Sequence, residues 1–139
     1  MRFVDTNVLL CAVSTHPEEA EKADRALALL NEPDLALSVQ VLQEFYVQAT
    51  RPRAGGSLAH AAAAALVLTL LRFPVQENTV SLLRSALEMK ERWRLSFWDA
   101  AIVAAARSLG CAILLSEDFQ HDRQYGTVRV VNPFVAASP

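Results

Sequence analysis

Four acids in this chain sit where an acid needs a reason. Asp5 closes a short apolar run, Arg2-Phe3-Val4, and only Thr6 and Asn7 separate it from the next apolar segment, which begins at Val8. A lone carboxylate between two buried segments costs roughly several kcal/mol. Glu44 belongs to a stripe of Gln40, Glu44, Gln48 and Arg51, spaced at helical steps on an otherwise apolar segment. Asp99 opens the uninterrupted apolar run from Ala100 to Ala106, and Asp118 follows Ala112-Ile113-Leu114-Leu115 by way of Ser116 and Glu117. If these carboxylates meet, they repel one another, and no His, Cys or neighbouring Lys stands among them to compensate. An oxygen-only ligand set of this kind selects Mg²⁺ or Mn²⁺ rather than zinc. The chemistry it supports is phosphodiester hydrolysis, in which the ion activates water and stabilises charge on the leaving 3′ oxygen.

Each acid also has an ordinary structural reading. Asp5, Thr6 or Asn7 can cap a helix that begins at this turn. The Glu44 stripe can be the solvated side of a half-buried helix, and Asp99, three residues after Ser96, resembles the far end of a capping box. Whether the four act together depends on the elements that carry them.

Those elements alternate. Apolar strand patterns occur at 3–4, 35–37, 112–115 and 128–131, with a weaker one at 74–76. Between them lie helical patterns over 17–31, 39–50, 57–72, 80–92 and 97–109, punctuated by Pro33, Pro52 and Gly110. The first helix places Ala20, Ala23, Leu27 and Leu30 on one face. The Ala-rich segment presents Ala61, Ala62, Ala65, Leu66 and Thr69 together, which suits core packing or a second chain. The order predicts one α/β domain over 1–139, a three-layer α/β/α fold with a mainly parallel sheet of four to five strands. In a doubly wound sheet the carboxyl ends of parallel strands share one edge, where ligands bind. Asp5 and Asp118 fall at such ends, and Glu44 and Asp99 start from helices that can reach the same edge.

Composition agrees with a folded core: 53% of the 139 residues are hydrophobic. Cys11 and Cys111 lie in apolar runs and read as reduced core thiols of a cytoplasmic protein. No apolar run is long enough to span a bilayer, and Asp5 and Asn7 interrupt any secretory leader. The net charge of −2 argues against nucleic acid at first sight, but if four of the fifteen acids hold a metal, eleven remain against thirteen bases, a balance of +2. Eleven of those bases are Arg, the better phosphate ligand.

With these residues in place the chain resembles the PIN-domain ribonucleases, and most closely the VapC-like toxins of bacterial toxin–antitoxin pairs. The likeness rests on Asp5-Thr6-Asn7, Glu44, Asp99-Ala100-Ala101-Ile102-Val103-Ala104, Ser116-Glu117-Asp118-Phe119 and Val131-Asn132-Pro133-Phe134. It implies a Mg²⁺- or Mn²⁺-dependent endoribonuclease with Asp5, Glu44, Asp99 and Asp118 as catalytic, metal-holding acids. Thr6 and Ser116 are then the hydroxyls that orient carboxylates, Ser116 standing where Thr is usual. On this reading Thr6 orients Asp5, Asn7 is the most replaceable residue of its turn, and Glu117 faces solvent. The resemblance also implies a homodimer, a protein antitoxin that blocks the site, and structured RNA substrates such as transfer RNA cut in single-stranded loops.

Arg51 and Arg53, beside the Gly55-Gly56 loop, are the candidate RNA phosphate contacts, with a plain solvated loop as the alternative. Lys90, Arg92 and Arg94, interleaved with Glu88 and Glu91, read as a solvated helix end. His121, Asp122 and Arg123 are placed to rim the site. Trp93 and Trp98 can stack on bases but read first as core anchors. Two other functions compete. A strand-end Asp can accept a phosphoryl group, but such sites need a cationic partner, and Lys22 and Lys90 follow no strand. A non-catalytic module binding RNA or protein on the same fold is the other, and the presence of all four acids argues against it.

Overall fold

The computed structural model describes residues 1–53 and 56–135. Its sheet has six strands, β1 (Arg2–Val4), β2 (Leu35–Ser38), β3 (Val75–Gln76), β4 (Ile113–Leu115), β5 (Gln124–Tyr125) and β6 (Val128–Val131), in the order β3-β2-β1-β4-β6-β5. All neighbours pair in parallel except β5, which runs antiparallel to β6. The expected four to five strands thus become six. The extra pairing is β5, a two-residue strand too short to show alternation. It turns back into β6 through Gly126 at φ 62°, a left-handed conformation that suits glycine. Its Tyr125 is buried against Trp93 and Phe119, with ring centroids 5.7 and 6.0 Å away.

Six helices connect the strands: α1 (Thr6–Ala12), α2 (Ala20–Leu30), α3 (Val39–Thr50), α4 (His60–Leu70), α5 (Val80–Trp93) and α6 (Phe97–Ser108). A 3₁₀ turn, Pro17–Glu19, leads into α2. From β1 to β2 to β3 the chain moves outward in one direction. From β3 to β4 it returns past β2 and β1. Right-handed crossovers therefore set α1–α4 on one face and α5 and α6 on the other. The contacts follow this division: α1 packs on α2 and α3, α3 on α4, and α5 on α6, which lies on β2, β4 and β6. The reversal of direction falls between β1 and β4, where such sheets bind ligands.

Local chemistry sets the helix starts. Ser38, Thr79 and Ser96 each accept a hydrogen bond from the backbone N–H three residues on, the normal way to satisfy a free helix amide. Ala100–Ala106 is buried throughout, as its uniform apolarity predicts. Gly110, at φ 74°, ends that helix and turns the chain into β4.

Two predicted faces are corrected. On α2 the inward side is Ala26 with Leu29 and Leu30, and of the predicted face Ala23 and Leu30 are half-buried whereas Ala20 and Leu27 are exposed. Helix α4 is shorter than the predicted 57–72, and Ala61, Ala62, Ala65, Leu66 and Thr69 all face solvent; only Ala63 and Leu70 are buried. Core packing is therefore not the use of that face. No helix among the described residues is long and apolar enough to cross a membrane.

Candidate active site

The in-register end of the two central strands builds the site. Val4 pairs with Leu115, so the next residues, Asp5 and Ser116, lie side by side across the sheet edge. The Asp5 N–H donates to the Leu115 carbonyl at 3.0 Å, and the Ser116 hydroxyl donates to Asp5 Oδ2 at 2.8 Å. Asp5 is also the N-cap of α1, its Oδ1 accepting from Thr6 N at 2.8 Å. The capping and functional readings of this residue thus coexist.

Around this pair the side chains form one network. Asn7 donates from Nδ2 to Ser116 Oγ at 2.9 Å and to Asp5 Oδ2 at 3.3 Å, while its Oδ1 accepts from Glu117 N at 3.1 Å. Ser116 Oγ further accepts from Asp118 N at 3.1 Å. The hydroxyl is therefore fully used, with one donation and two acceptances. Glu44 is not a solvent-facing residue of its stripe. Its Oε2 accepts from Thr6 Oγ1 at 2.9 Å and its Oε1 from Gln40 Nε2 at 3.0 Å.

Three expectations about the neighbours change. Thr6 orients Glu44 with its hydroxyl and touches Asp5 only through its backbone. Asn7, expected to be the most replaceable member of its turn, joins Asp5, Ser116 and Glu117 by hydrogen bonds. Glu117 is not simply solvent-facing: its Oε2 accepts from Lys22 Nζ at 2.8 Å, and Cys11 Sγ donates to its Oε1 at 3.7 Å. Asn7→Ala is accordingly expected to lower stability by about 1–3 kcal/mol, since it strips a donor from Ser116 and the acceptor from an amide. Thermal melts should show a fall of several degrees, and an unchanged Tm would mean that water replaces both contacts.

Asp5, Glu44, Asp99 and Asp118 all line one cleft of about 270 Å³, with Thr6, Asn7, Gln40, Gln48 and Trp98 among its walls and, among the described residues, no Lys, Arg or His. Asp99 takes its place in the first turn of α6, where its N–H donates to Ser96 Oγ at 3.1 Å. Asp5 is 6% exposed. Burial, opposed by the Ser116 and Thr6 hydrogen bonds and reinforced by the charges of Asp118 and Glu44, pushes its carboxyl up to about 6. Among the described residues no three Asp, Glu, His or Cys side chains form a preformed ion cage. The donor chemistry nevertheless fits a hard divalent cation: oxygen ligands only, an excess of negative charge, and no basic side chain in the cleft to offset it.

The other candidates lie further out. A second cavity, of about 350 Å³, adjoins the cleft through Asn7 and Leu10 and is lined by Cys11, Glu19, Arg53, Leu58 and Glu117. Arg53 donates to the Gln48 carbonyl and reaches this cavity, whereas Arg51 is exposed beyond both; Ala54 and Gly55 of the same loop lie outside the described residues. Cys11 and Cys111 are free and buried, and burial together with Glu117 pushes the Cys11 thiol up to about 11. His121 and Asp122 turn away to β6: His121 Nδ1 accepts from Asn132 N, and Asp122 pairs with Arg129. Lys90, Arg92 and Arg94 are exposed at the end of α5. Sequence reasoning passed over Gln40, whose buried amide tethers Glu44; its position on the Glu44 stripe was the available signal.

An acid-lined cleft at the switch point of a mainly parallel sheet defines the class, and comparison with known proteins agrees. The PIN domain family profile matches residues 2–126, and the chain belongs to that family, whose nucleases generally use divalent metal ions. Within it the chain is VapC-like. It is similar to Mycobacterium tuberculosis VapC20, a sarcin–ricin loop cleaving toxin, at 27% identity and TM-score 0.64, over 82% of this chain and 87% of that one. A toxin–antitoxin complex from Klebsiella pneumoniae aligns at 19% identity and TM-score 0.69, covering 96% and 98%. VapBC2 from Rickettsia felis, bound to a DNA fragment from its promoter, aligns at 14% identity and TM-score 0.64, covering 93% and 96%. These last two show the shared fold. No curated protein matches the sequence significantly.

Proposed function

We propose that the chain is a Mg²⁺- or Mn²⁺-dependent endoribonuclease, acting in the cytoplasm as the toxin of a type II toxin–antitoxin pair. Asp5, Glu44, Asp99 and Asp118 hold the ion or ions. The observation that carries this reading is the delivery of four carboxylates, from four separate segments, to one cleft whose lining has no basic residue among the described residues. When bound, a divalent ion lowers the pKa of water and stabilises charge on the phosphodiester. The chain's own groups do the positioning. Ser116 and Asn7 fix the Asp5 carboxylate, and Thr6 and Gln40 fix that of Glu44. Asp118 is exposed, and among the described residues it is held through its backbone N–H to Ser116, which leaves its carboxylate to orient water or take up a second ion.

The substrate on this reading is a structured RNA cut in a single-stranded loop, either a transfer RNA or, given the likeness to VapC20, an RNA that carries a sarcin–ricin loop. Arg53, in the cavity beside the cleft, is better placed than Arg51 for a phosphate along that path. A protein antitoxin is supported by the toxin–antitoxin complexes among the similar structures. A homodimer gives a use to the exposed apolar side chains of α4, Leu66 and Leu68, which lie on different sides of the helix.

Antitoxin-free protein incubated with total transfer RNA and ribosomal RNA is expected to cut at discrete sites in Mg²⁺ or Mn²⁺ and to stop in EDTA. Sequencing gels of end-labelled RNA report the sites. Cleavage that persists in EDTA, or in Asp99→Asn, overturns the metal-dependent reading.

A further inference from the structure

We infer that Trp98 is the platform on which an RNA base beside the scissile phosphodiester stacks, an inference that rests on the ribonuclease reading above. Trp98 is 64% exposed, and it lies on the wall of the cleft that holds the four acids. This reverses the core role expected of it. Trp93, by contrast, is half-buried against Tyr125.

The indole is exposed but not loose. It sits in the first turn of α6, between the half-buried Phe97 and Asp99. Its ring meets Phe97 at a centroid distance of 5.1 Å with the planes 74° apart, an edge-to-face contact. Among the described residues no aromatic ring lies parallel to it. The backbone is tied to the acids as well. Gln40 Nε2 donates to the Trp98 carbonyl at 3.3 Å, and the same amide holds Glu44. The main chain that carries the indole is thus tied through Gln40 to Glu44 and is continuous with Asp99, while the indole itself is left free to meet a base.

The electrostatics of the cleft call for such a group. With no Lys, Arg or His in the lining among the described residues, these side chains offer RNA no positive charge at the reaction centre. Apart from a bound ion, the groups of that lining which can hold a nucleotide are amides and the Trp98 ring. Exposed aromatic side chains are the surfaces on which proteins stack single-stranded bases, whatever the base, and a base splayed from a loop presents the matching face.

The test is steady-state cleavage of stem-loop oligoribonucleotides that carry the loop cut in the total RNA, in Mg²⁺ or Mn²⁺, by wild type, Trp98→Phe and Trp98→Ala. The substrate set includes versions in which one base on either side of the cut bond is replaced by an abasic ribose. Trp98→Ala is expected to raise KM by about tenfold or more, with kcat changed by less than about threefold, and Trp98→Phe to keep most of the affinity. One abasic position should reproduce that loss in wild type and add nothing in Trp98→Ala. An unchanged KM in Trp98→Ala, or abasic losses that add fully to it, overturns the stacking role while the ribonuclease reading stands. A wild-type protein that cuts no RNA overturns both.

Discussion

Asp5→Asn is expected to lower divalent-dependent RNA cleavage by about a thousandfold or more, because it removes the most deeply placed carboxylate of the cleft. Charge stabilisation by a bound ion is worth several kcal/mol in a phosphodiester transition state, and each ~1.4 kcal/mol is a factor of ten. Asn keeps the shape and one acceptor oxygen but loses the charge. Its amide also meets either the Ser116 hydroxyl or the Thr6 N–H, both of which donate to Asp5. Ser116→Ala leaves the charge and removes only the hydroxyl that aims it, so a loss of about 10- to 100-fold is expected there. A readout independent of turnover separates ion loss from misalignment. Saturating Mn²⁺ should raise the Tm of wild type relative to EDTA, since an ion that binds only the folded chain stabilises it, and should raise that of Asp5→Asn much less. An Asp5→Asn protein that still cleaves within a few-fold of wild type would remove Asp5 from the chemistry.

The sequence revealed more of the fold than of the hydrogen-bond network within the cleft, and for a physical reason. Strands that end in a polar residue, helices that open on Ser38, Thr79 and Ser96, and a uniformly apolar α6 are local signals, and each recurs in the structure. The candidate acids were legible because carboxylates at such positions conflict with their surroundings. Which group holds which acid was not. The neighbours of Asp5 lie 109 to 111 residues apart in the contacts Asn7–Ser116 and Asp5–Ser116, set by the register of β1 on β4 rather than by any nearby pattern. Thr6 illustrates the limit. Its position beside Asp5 suggested that it orients Asp5, yet its hydroxyl crosses 38 residues to Glu44. Trp98 shows the converse, a large aromatic whose apolar neighbours point to the core although the first turn of α6 leaves its own side on the cleft.

Without metal, the chain should be less stable at pH 7.5 than its Asp5→Asn variant, by up to about 3 kcal/mol, and the difference should vanish near pH 4. The folded-state carboxyl titrates at about 6, above the 3.8 of the unfolded chain. Below about pH 4 it is protonated in both states and its burial carries no charge penalty. As pH rises the unfolded chain releases its proton first, so this group's contribution to stability falls through the interval from about 4 to about 6 and stays lost above it. A gap of about two units corresponds to about 3 kcal/mol at ~1.36 kcal/mol per unit. Asn is neutral, with one oxygen and one donor, and so stands in for the protonated carboxyl at every pH; subtracting its curve from that of wild type isolates Asp5 from the other acids. Urea unfolding in EDTA at pH 4, 5, 6 and 7.5 gives the curve. Parallel curves, or a variant less stable at pH 7.5, would mean that Asp5 serves mainly to cap α1. A variant that gains stability as pH rises while losing cleavage means that the carboxylate is kept at a cost to the empty fold, which a positive ion in the cleft repays.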